Sequence, residues 1–567
     1  MKILGIGFLS ESSVCLIENG KIKYAISQER INRVKNWWGN PYKAVDFVLK
    51  ETNNKLRDID IIATHGLSSI IKDVPNKKYF ADKIAEVNKS FLPKNKKKNQ
   101  VKFLIERQNH ELKANNRVMR NVIALRKRYN KIEVHDHHKS HAASAYFFSG
   151  WSKCYSLTID GWGDNSSSKL YKIANGKFTQ ITSTSTIDSL GYFYGSITKL
   201  LGFKPHRHEG KILGLSAHGN PNNAYKIISK MISYDKNNKT FKGNFEKGYY
   251  LAKYQNPNIS FLKKKFSRED IAAAAQKRTE EVILEFIKDN VPYNSRLALA
   301  GGVFSNVKIN QKISELKNIR EIYVFPNMGD GGLSVGSAML SYNNKKKFRP
   351  QVLKDMYLGP RFSNKDILKI LKKSRVTYFK KSNPSKFIAD KLNKGFVVAC
   401  FQGRMEFGPR SLGNRSILVN AKKKNINDWL NKKLKRTEFM PFAPITLDKY
   451  AKKMYKSLDN KKKASKFMTV TLNCTNKALN LSPAAVHIDK TARPQIIKKS
   501  DNLKIYNILY EYFKISKIPN LINTSFNVHE EPIVCNPVDA IKAFKESRLD
   551  FLYIGDYIVE KNDRKIR

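Results

Sequence analysis

A two-domain α/β protein is what this sequence predicts, on three observations. The chain has 567 residues, too many for one ordinary core. Hydrophobic residues make up 41% of it, enough to build several layers. From Tyr155 onward short apolar runs alternate with helical periodicity, the pattern of sheets covered by helices.

Lys2–Phe8 reads as a buried strand, Ser13–Ile17 as a second, and Asn19-Gly20 as the tight turn into a third at Lys21–Ile26, a β-meander. Helical periodicity over Pro41–Glu51 precedes a strand at Ile59–Thr64, a basic polar loop around Lys94, and a long helix near Glu111–Tyr129. Strands then fall at Tyr155–Asp160, Leu297–Ala300 and Ile322–Phe325, and helices at Arg268–Asn290 and Gly331–Tyr342. Polar Asn343–Pro350 reads as a linker between domains 1–345 and 346–567, the second carrying a strand at Val397–Phe401. There is no repeat of fixed period.

The five cysteines are scattered singly, which excludes a disulfide framework or a zinc ribbon. No stretch approaches the ~20 apolar residues that span a bilayer, so no membrane partner and a soluble, cytoplasmic protein are expected. The charge is unusual: 105 Lys and Arg against 48 Asp and Glu, a formal +57. Basic runs at Lys94–Lys98, Lys345–Lys347, Lys422–Lys424 and Lys461–Lys463 favour a polyanionic partner, nucleic acid above all, unless they only solvate the surface.

His137 and His141 stand four apart at the head of an apolar helical run, so both imidazoles lie on one face and can share a metal. Asp160 ends a predicted strand in LTIDGWGD, and Asp330 sits between strand and helix in PNMGDGG, where α/β folds place ligands to metals and phosphates or merely cap turns. Gly301 and Gly302 follow an apolar strand and let the backbone approach a nucleotide. In FQGRMEFGPRSLGNRS, Phe401–Ser416, the guanidiniums of Arg404, Arg410 and Arg415 among glycines suggest an anion cradle with backbone N–H groups turned to a phosphate.

These pieces occur in a recognisable order. ILGIGFLSESS, QERINRVK, HHKSHAASA, TIDGWGD, SLGYFYGSITKLLGF, GKILGLSAHG, LAGGVFSNVKIN and NMGDGGLSVGSA resemble the Kae1-like domain of the O-carbamoyltransferases that act on antibiotics and Nod factors. GRMEFGPRSLGNRS, RTEFMPFAP, HIDKTARPQ and NTSFNVHEEPIV resemble the YrdC-like domain of the same family. The resemblance implies an actin/Hsp70-type (ASKHA) first domain of two βββαβα halves, then a YrdC-like α/β domain that makes carbamoyladenylate from carbamoyl phosphate and ATP. It implies that His137, His141, Asp160 and Asp330 hold a divalent metal, Fe2+ by the donor set, with Mg2+ accompanying ATP. It also implies that Gly301, Gly302, Asn306 and Gly331 line the adenylate pocket. Arg404, Ser525 and Asn527 would bind carbamoyl phosphate and ATP, and Arg410, Arg415, His487 and Arg493 would act in catalysis. The chain departs from the family at Ser10, where a hairpin His is usual, and at Lys490, where HxDGTAR has Gly.

An ATP-dependent O-carbamoyltransferase is therefore expected, with an acceptor hydroxyl as partner. A 5-hydroxymethylpyrimidine in DNA fits the charge, with Trp37-Trp38 beside Arg30, Arg33 and Lys35 able to stack a base. A sugar hydroxyl on a small molecule is the alternative. A non-catalytic nucleic-acid binder on the same scaffold is the reading from another class.

Overall fold

Antiparallel pairing of Lys2–Gly7 (β1) with Ser13–Glu18 (β2), in register Lys2↔Glu18 to Gly7↔Ser13, opens the fold as the meander pattern requires. The computed structural model describes residues 1–67, 77–249, 257–434, 439, 441–528 and 530–561. Its contacts divide them into two units. The first comprises Met1–Lys21, Trp38–Asn40 and Leu56–Val352, and the second Ile22–Trp37, Pro41–Lys55 and Leu353–Arg567.

One plan occurs twice along residues 2–345, with all but the first residue of its third strand counted in the second unit. With Lys21–Ser27 (β3), Ile61–His65 (β4) and Ile132–His135 (β5), one sheet has the order β3-β2-β1-β4-β5; β4 is parallel to both β1 and β5. Lys153–Gly163 (β6), Ser166–Ala174 (β7), Lys177–Ser185 (β8), Ser295–Ala300 (β9) and Ile319–Val324 (β10) form the other, order β8-β7-β6-β9-β10, with the corresponding antiparallel and parallel senses. These are the two βββαβα halves of an actin/Hsp70-type domain. The second meander turns at Asn175-Gly176, both at positive φ, where Asn and Gly carry little steric cost. Its strands escape a sequence reading because Ser, Thr and Lys dilute their alternation.

Each half ends in a buried helix, His137–Phe147 (α3) and Leu333–Lys345 (α6). They cross at Gly336, where an added Cβ would lie 1.7 Å from the Ser140 carbonyl oxygen. Only glycine permits that approach. Ser140 stands between His137 and His141, so the crossing sets both imidazoles near the head of α6.

Between β4 and β5 lie Lys77–Lys89 (α1) and Lys94–Arg128 (α2). The expected loop around Lys94 is thus the first turn of a 35-residue helix. Its N-terminal part carries polar residues even on its buried side, so apolar periodicity does not mark it. Arg268–Asn290 (α4) and Val307–Ser314 (α5) complete the helices used below.

The second unit has an eight-stranded mixed sheet with helices on both faces. Alternation explains it: in Val398–Phe401 and its flank, Val397, Ala399 and Phe401 pack with Ile367, Leu371, Ile541 and Phe544, while Val398 and Cys400 pack with Ile388, Leu392, Ile508 and Leu509. All five cysteines are free and buried. No described helix is long and apolar enough to cross a membrane.

Candidate active site and metal centre

His137, His141, Asp160 and Asp330 come together. One ligand atom from each lies within 4.8 Å of all the others. His141 Nε2 is 3.0 Å from Asp160 Oδ2 and 3.6 Å from Asp330 Oδ1; His137 Nε2 is 3.5 and 3.9 Å from the same oxygens. The local chain explains the placement. Asp136 caps α3 by accepting the Lys139 N–H, and Asp164 accepts the His137 N–H at 2.8 Å. Gly163 leaves room for the first imidazole, since a Cβ there would sit 2.1 Å from His137 Cδ2.

Each carboxylate is held by one oxygen and offers the other. Asp160 Oδ1 accepts the Gly302 N–H, and Asp330 Oδ2 accepts the Ser10 hydroxyl at 2.7 Å. Asp160 Oδ2 and both ring nitrogens of His137 and His141 are buried without a hydrogen-bond partner among the described residues. Buried polar atoms are rarely left so. A divalent cation among them would take Asp160 Oδ2 and one nitrogen of each imidazole, and two imidazoles with two monodentate carboxylates suit a first-row metal with positions to spare. The field agrees. Burial opposes charge on His141, yet the Asp160 and Asp330 carboxylates push its pKa up to about 9. Burial would raise Asp160, but the imidazoles hold it well below the usual carboxylate range.

The neighbouring histidines are structural. His138 bonds Thr158 Oγ1 at 2.9 Å and the Ser166 carbonyl at 3.1 Å, and burial lowers its pKa to about 3. His65 accepts the Phe8 N–H and stacks on that ring.

Gly301 (φ +104) and Gly302 lie beside Asp160; a Cβ on Gly301 would meet the Ile159 carbonyl oxygen at 2.4 Å. Gly331, whose carbonyl accepts the Ser13 hydroxyl, follows Asp330 directly. Asn306 is placed differently from a pocket residue. Its Oδ1 caps α5 by accepting the Ile309 N–H, and its Nδ2 donates to Gln276 on α4 at 2.8 Å.

In the second unit the GRMEFGPRSLGNRS loop corrects the cradle expectation. The Leu412, Asn414 and Arg415 N–H groups all donate inward to Glu406 Oε1, at 2.7, 2.8 and 3.1 Å. Arg415 is fully buried; it donates to the carbonyls of Gln402 and Asn414 and lies over the Phe401 ring. Arg404 donates to the carbonyls of Gly359, Lys23 and Leu358. Both bond largely to the backbone, and Arg415 Nε is buried without a hydrogen-bond partner among the described residues. Nothing in the order of the loop's residues announces Glu406 as its hub. Arg410 and Arg493 are half-buried, and His487 is buried with Nδ1 3.1 Å from Thr491 Oγ1. Ser525 ends a strand opposite Ser416, and Asn527 donates to the carbonyls of Val528 and Glu531. Of RTEFMPFAP, Arg436, Thr437, Glu438 and Met440 lie outside the described residues. Lys490 keeps the turn of the motif at φ +60 although it is not glycine.

The residues proposed as a base platform have partners of their own in part. Arg30 is buried and donates to the Gly408 carbonyl, while Arg33 donates to the carbonyls of Pro532 and Ile533. Trp38 carries the Arg117 guanidinium over its ring at 3.3 Å.

A duplicated frame with a four-ligand cluster at its helix crossing, and a second α/β unit with a Gly- and Arg-rich loop, define a two-domain α/β enzyme. Residues 2–339 match the carbamoyltransferase N-terminus and residues 389–561 the carbamoyltransferase C-terminus, and the chain belongs to this carbamoyltransferase family. An uncharacterized protein of Methanocaldococcus jannaschii is 33% identical over 99% of both chains. Nodulation protein NolNO of Sinorhizobium fredii is 27% identical over 98% of this chain and 79% of its own. Among solved structures, full-length HypF matches with 12% identity and a TM-score of 0.31, covering 61% of this chain and 46% of that one.

Proposed function

We propose that this carbamoyltransferase is an ATP-dependent O-carbamoyltransferase. Carbamoyl phosphate, ATP and water give carbamoyladenylate, phosphate and pyrophosphate in the second unit. The acceptor oxygen then bonds to the carbamoyl carbon in the first unit, expelling AMP and releasing its proton. The observation that carries this reading is the His137, His141, Asp160 and Asp330 cluster, with its unpartnered nitrogens beside Gly301 and Gly302.

These four residues would hold a divalent metal, Fe2+ by the mixed nitrogen and oxygen donors, which would supply positive charge to the adenylate phosphate. Gly301, Gly302 and Gly331 bring backbone close to the nucleotide, and Asn306 fixes the helix behind it. Arg410 and Arg493 neutralise phosphate in the second unit, Mg2+ accompanies ATP, Ser525 and Asn527 shape the strand end, and His487 orients the carbamoyl group.

His137→Ala and Asp330→Ala should lose metal and acceptor carbamoylation while still releasing pyrophosphate from ATP in the presence of carbamoyl phosphate. Full metal retention with unimpaired transfer by both variants would refute the assignment. The formal charge of +57 favours a second reading of the acceptor, a hydroxymethylpyrimidine in DNA. Its signature is carbamoylation that falls steeply with salt while pyrophosphate release does not.

A further inference from the structure

The motif QERINRVK stands near the start of the chain, yet its residues lie within Ile22–Trp37, a segment that packs as part of the second unit. The short helix Gln28–Asn32 and its C-cap Arg33 carry two guanidiniums three residues apart. Each is directed to backbone carbonyls. Arg30, only 6% exposed, donates from Nη2 to the Gly408 carbonyl at 3.1 Å. Arg33 donates from Nη1 to the Ile533 carbonyl at 2.8 Å and from Nη2 to the Pro532 carbonyl at 2.7 Å.

Bonds within the segment stiffen it. Glu29 Oε1 lies 3.1 Å from Arg30 Nη1, and Glu29 Oε2 accepts the Asn36 N–H at 2.7 Å, while Gln28 Oε1 accepts the Ala44 N–H at 2.8 Å. Arg33 stands at φ +60, where a side chain is strained, and its two carbonyl bonds and the Asp539 carboxylate at 3.6 Å hold it there. Strain of this kind persists only where the surroundings over-determine it.

The carbonyls so held belong to two loops of the second unit. Gly408 precedes Pro409 and Arg410. Its carbonyl is part of the planar Gly408–Pro409 peptide, and proline locks the next φ at about −65°, so fixing that carbonyl fixes the point from which Arg410 sets out. Pro532 and Ile533 follow Glu531, whose carbonyl accepts the Asn527 amide at 3.1 Å. The loops are also bonded to each other: the Phe526 N–H donates to the Arg415 carbonyl and the Val534 N–H to the Phe526 carbonyl, both at 3.0 Å. Glu406 anchors the Leu412–Arg415 end of the first loop, and Arg30 anchors its Gly408 end.

Resting on the reading that the second unit forms carbamoyladenylate, we propose that Arg30 and Arg33 are positioning residues for that reaction, setting the loop of Arg410 against the loop of Asn527. Neither acts on the reacting atoms. The role calls for guanidiniums, since one planar fork bonds two acceptors at once, whereas a lysine ammonium is a point charge on a flexible stem. A misplacement of about 1 Å at a reacting centre costs roughly 100-fold in rate.

The test follows pyrophosphate release by the full chain from ATP in the presence of Mg2+ and carbamoyl phosphate. Arg30→Met is made together with Glu29→Gln, so that no buried carboxylate is left unpaired. Arg33, whose side chain is 27% exposed, is replaced singly, and Arg33→Gln carries the test if the Arg30 variant does not fold. We expect kcat to fall by roughly tenfold or more in each folded variant while the KM for ATP changes by less than about threefold. Arg33→Lys, which keeps one charged donor, should recover part of the loss. In an Arg410→Ala background the Arg30 change should lower kcat by less than about threefold, because its effect passes through Arg410, whereas a general loss of structure would act undiminished. The proposal is overturned if the folded variants keep the wild-type kcat, or if the Arg30 change costs as much without Arg410 as with it. Absence of pyrophosphate release from the wild type would overturn the carbamoyladenylate reading and the proposal with it; release by the wild type and by unimpaired variants alike would overturn the proposal alone.

Discussion

Ser10 donates its hydroxyl to Asp330 Oδ2 at 2.7 Å, fixing the carboxylate so that Oδ1 alone faces the two imidazoles. The residue that breaks the hairpin motif is therefore employed in orienting a ligand. Outer partners of this kind typically govern metal affinity by about 10–100-fold. Ser10→Ala should weaken metal binding by about tenfold at the low end of that range. Titration of the metal-free protein with Fe2+ or Co2+ would measure it, and unaltered affinity would remove Ser10 from the site.

Arg410 and Arg415 should fail in different ways. A lost charge-assisted contact in a phosphate site costs about 2–4 kcal/mol, so Arg410→Ala should slow pyrophosphate release by roughly 30–1,000-fold with an ordinary melting temperature. Arg415 is bonded to carbonyls inside the fold, so Arg415→Ala should lower the urea midpoint before any kinetic effect is read. Equal stability of the two variants would contradict this division.

Lys490 sits at φ +60, where a side chain costs roughly 1–2 kcal/mol. Glycine removes that strain but loses more backbone entropy on folding, about 0.5–1 kcal/mol. Lys490→Gly should therefore gain up to about 1 kcal/mol, seen as a higher urea midpoint at unchanged slope. A clear loss of stability would mean that the lysine side chain makes a compensating contact.

Burial raises the Glu111 pKa to about 7, with Arg107 opposing. The folded protein therefore binds this proton more tightly than the unfolded chain does. Between about pH 4.5 and 7 the unfolded state binds fewer protons at this group, so stability falls as pH rises. A tenfold difference in proton affinity is worth about 1.4 kcal/mol, and the whole effect should be of the order of 1–3 kcal/mol. Glu111→Gln lacks the titration, so the stability difference between wild type and variant should move against the wild type from about pH 5 to about pH 7.5. A constant difference would place Glu111 in a solvated setting.

Much of the fold was legible because its signals are local. The opening meander, Arg268–Asn290 and the strand Val398–Phe401 announce themselves by periodicity and turn chemistry. The members of the four-residue cluster were legible too, since a spacing of four on a helix and Asp beside Gly at strand ends are written in the chain. The duplication was legible only through the family resemblance, for Ser166–Ala174 and Lys177–Ser185 share topology but no pattern with β2 and β3. The fate of the arginines was not legible: Arg404 and Arg415 look like phosphate ligands in sequence, and only packing turns their guanidiniums to carbonyls. The polar N-terminal half of α2 was missed because its buried face is written in Gln, Arg, Glu and Asn.

The Glu406 carboxylate, gripping the amides of Leu412, Asn414 and Arg415, gives an irregular loop the anchoring usually reserved for a ladder. In deuterated solvent those three amides should retain their protons far longer than others in turns, opening only with the unit as a whole. The loop is then already set, so addition of ATP and carbamoyl phosphate should leave its exchange pattern nearly unaltered.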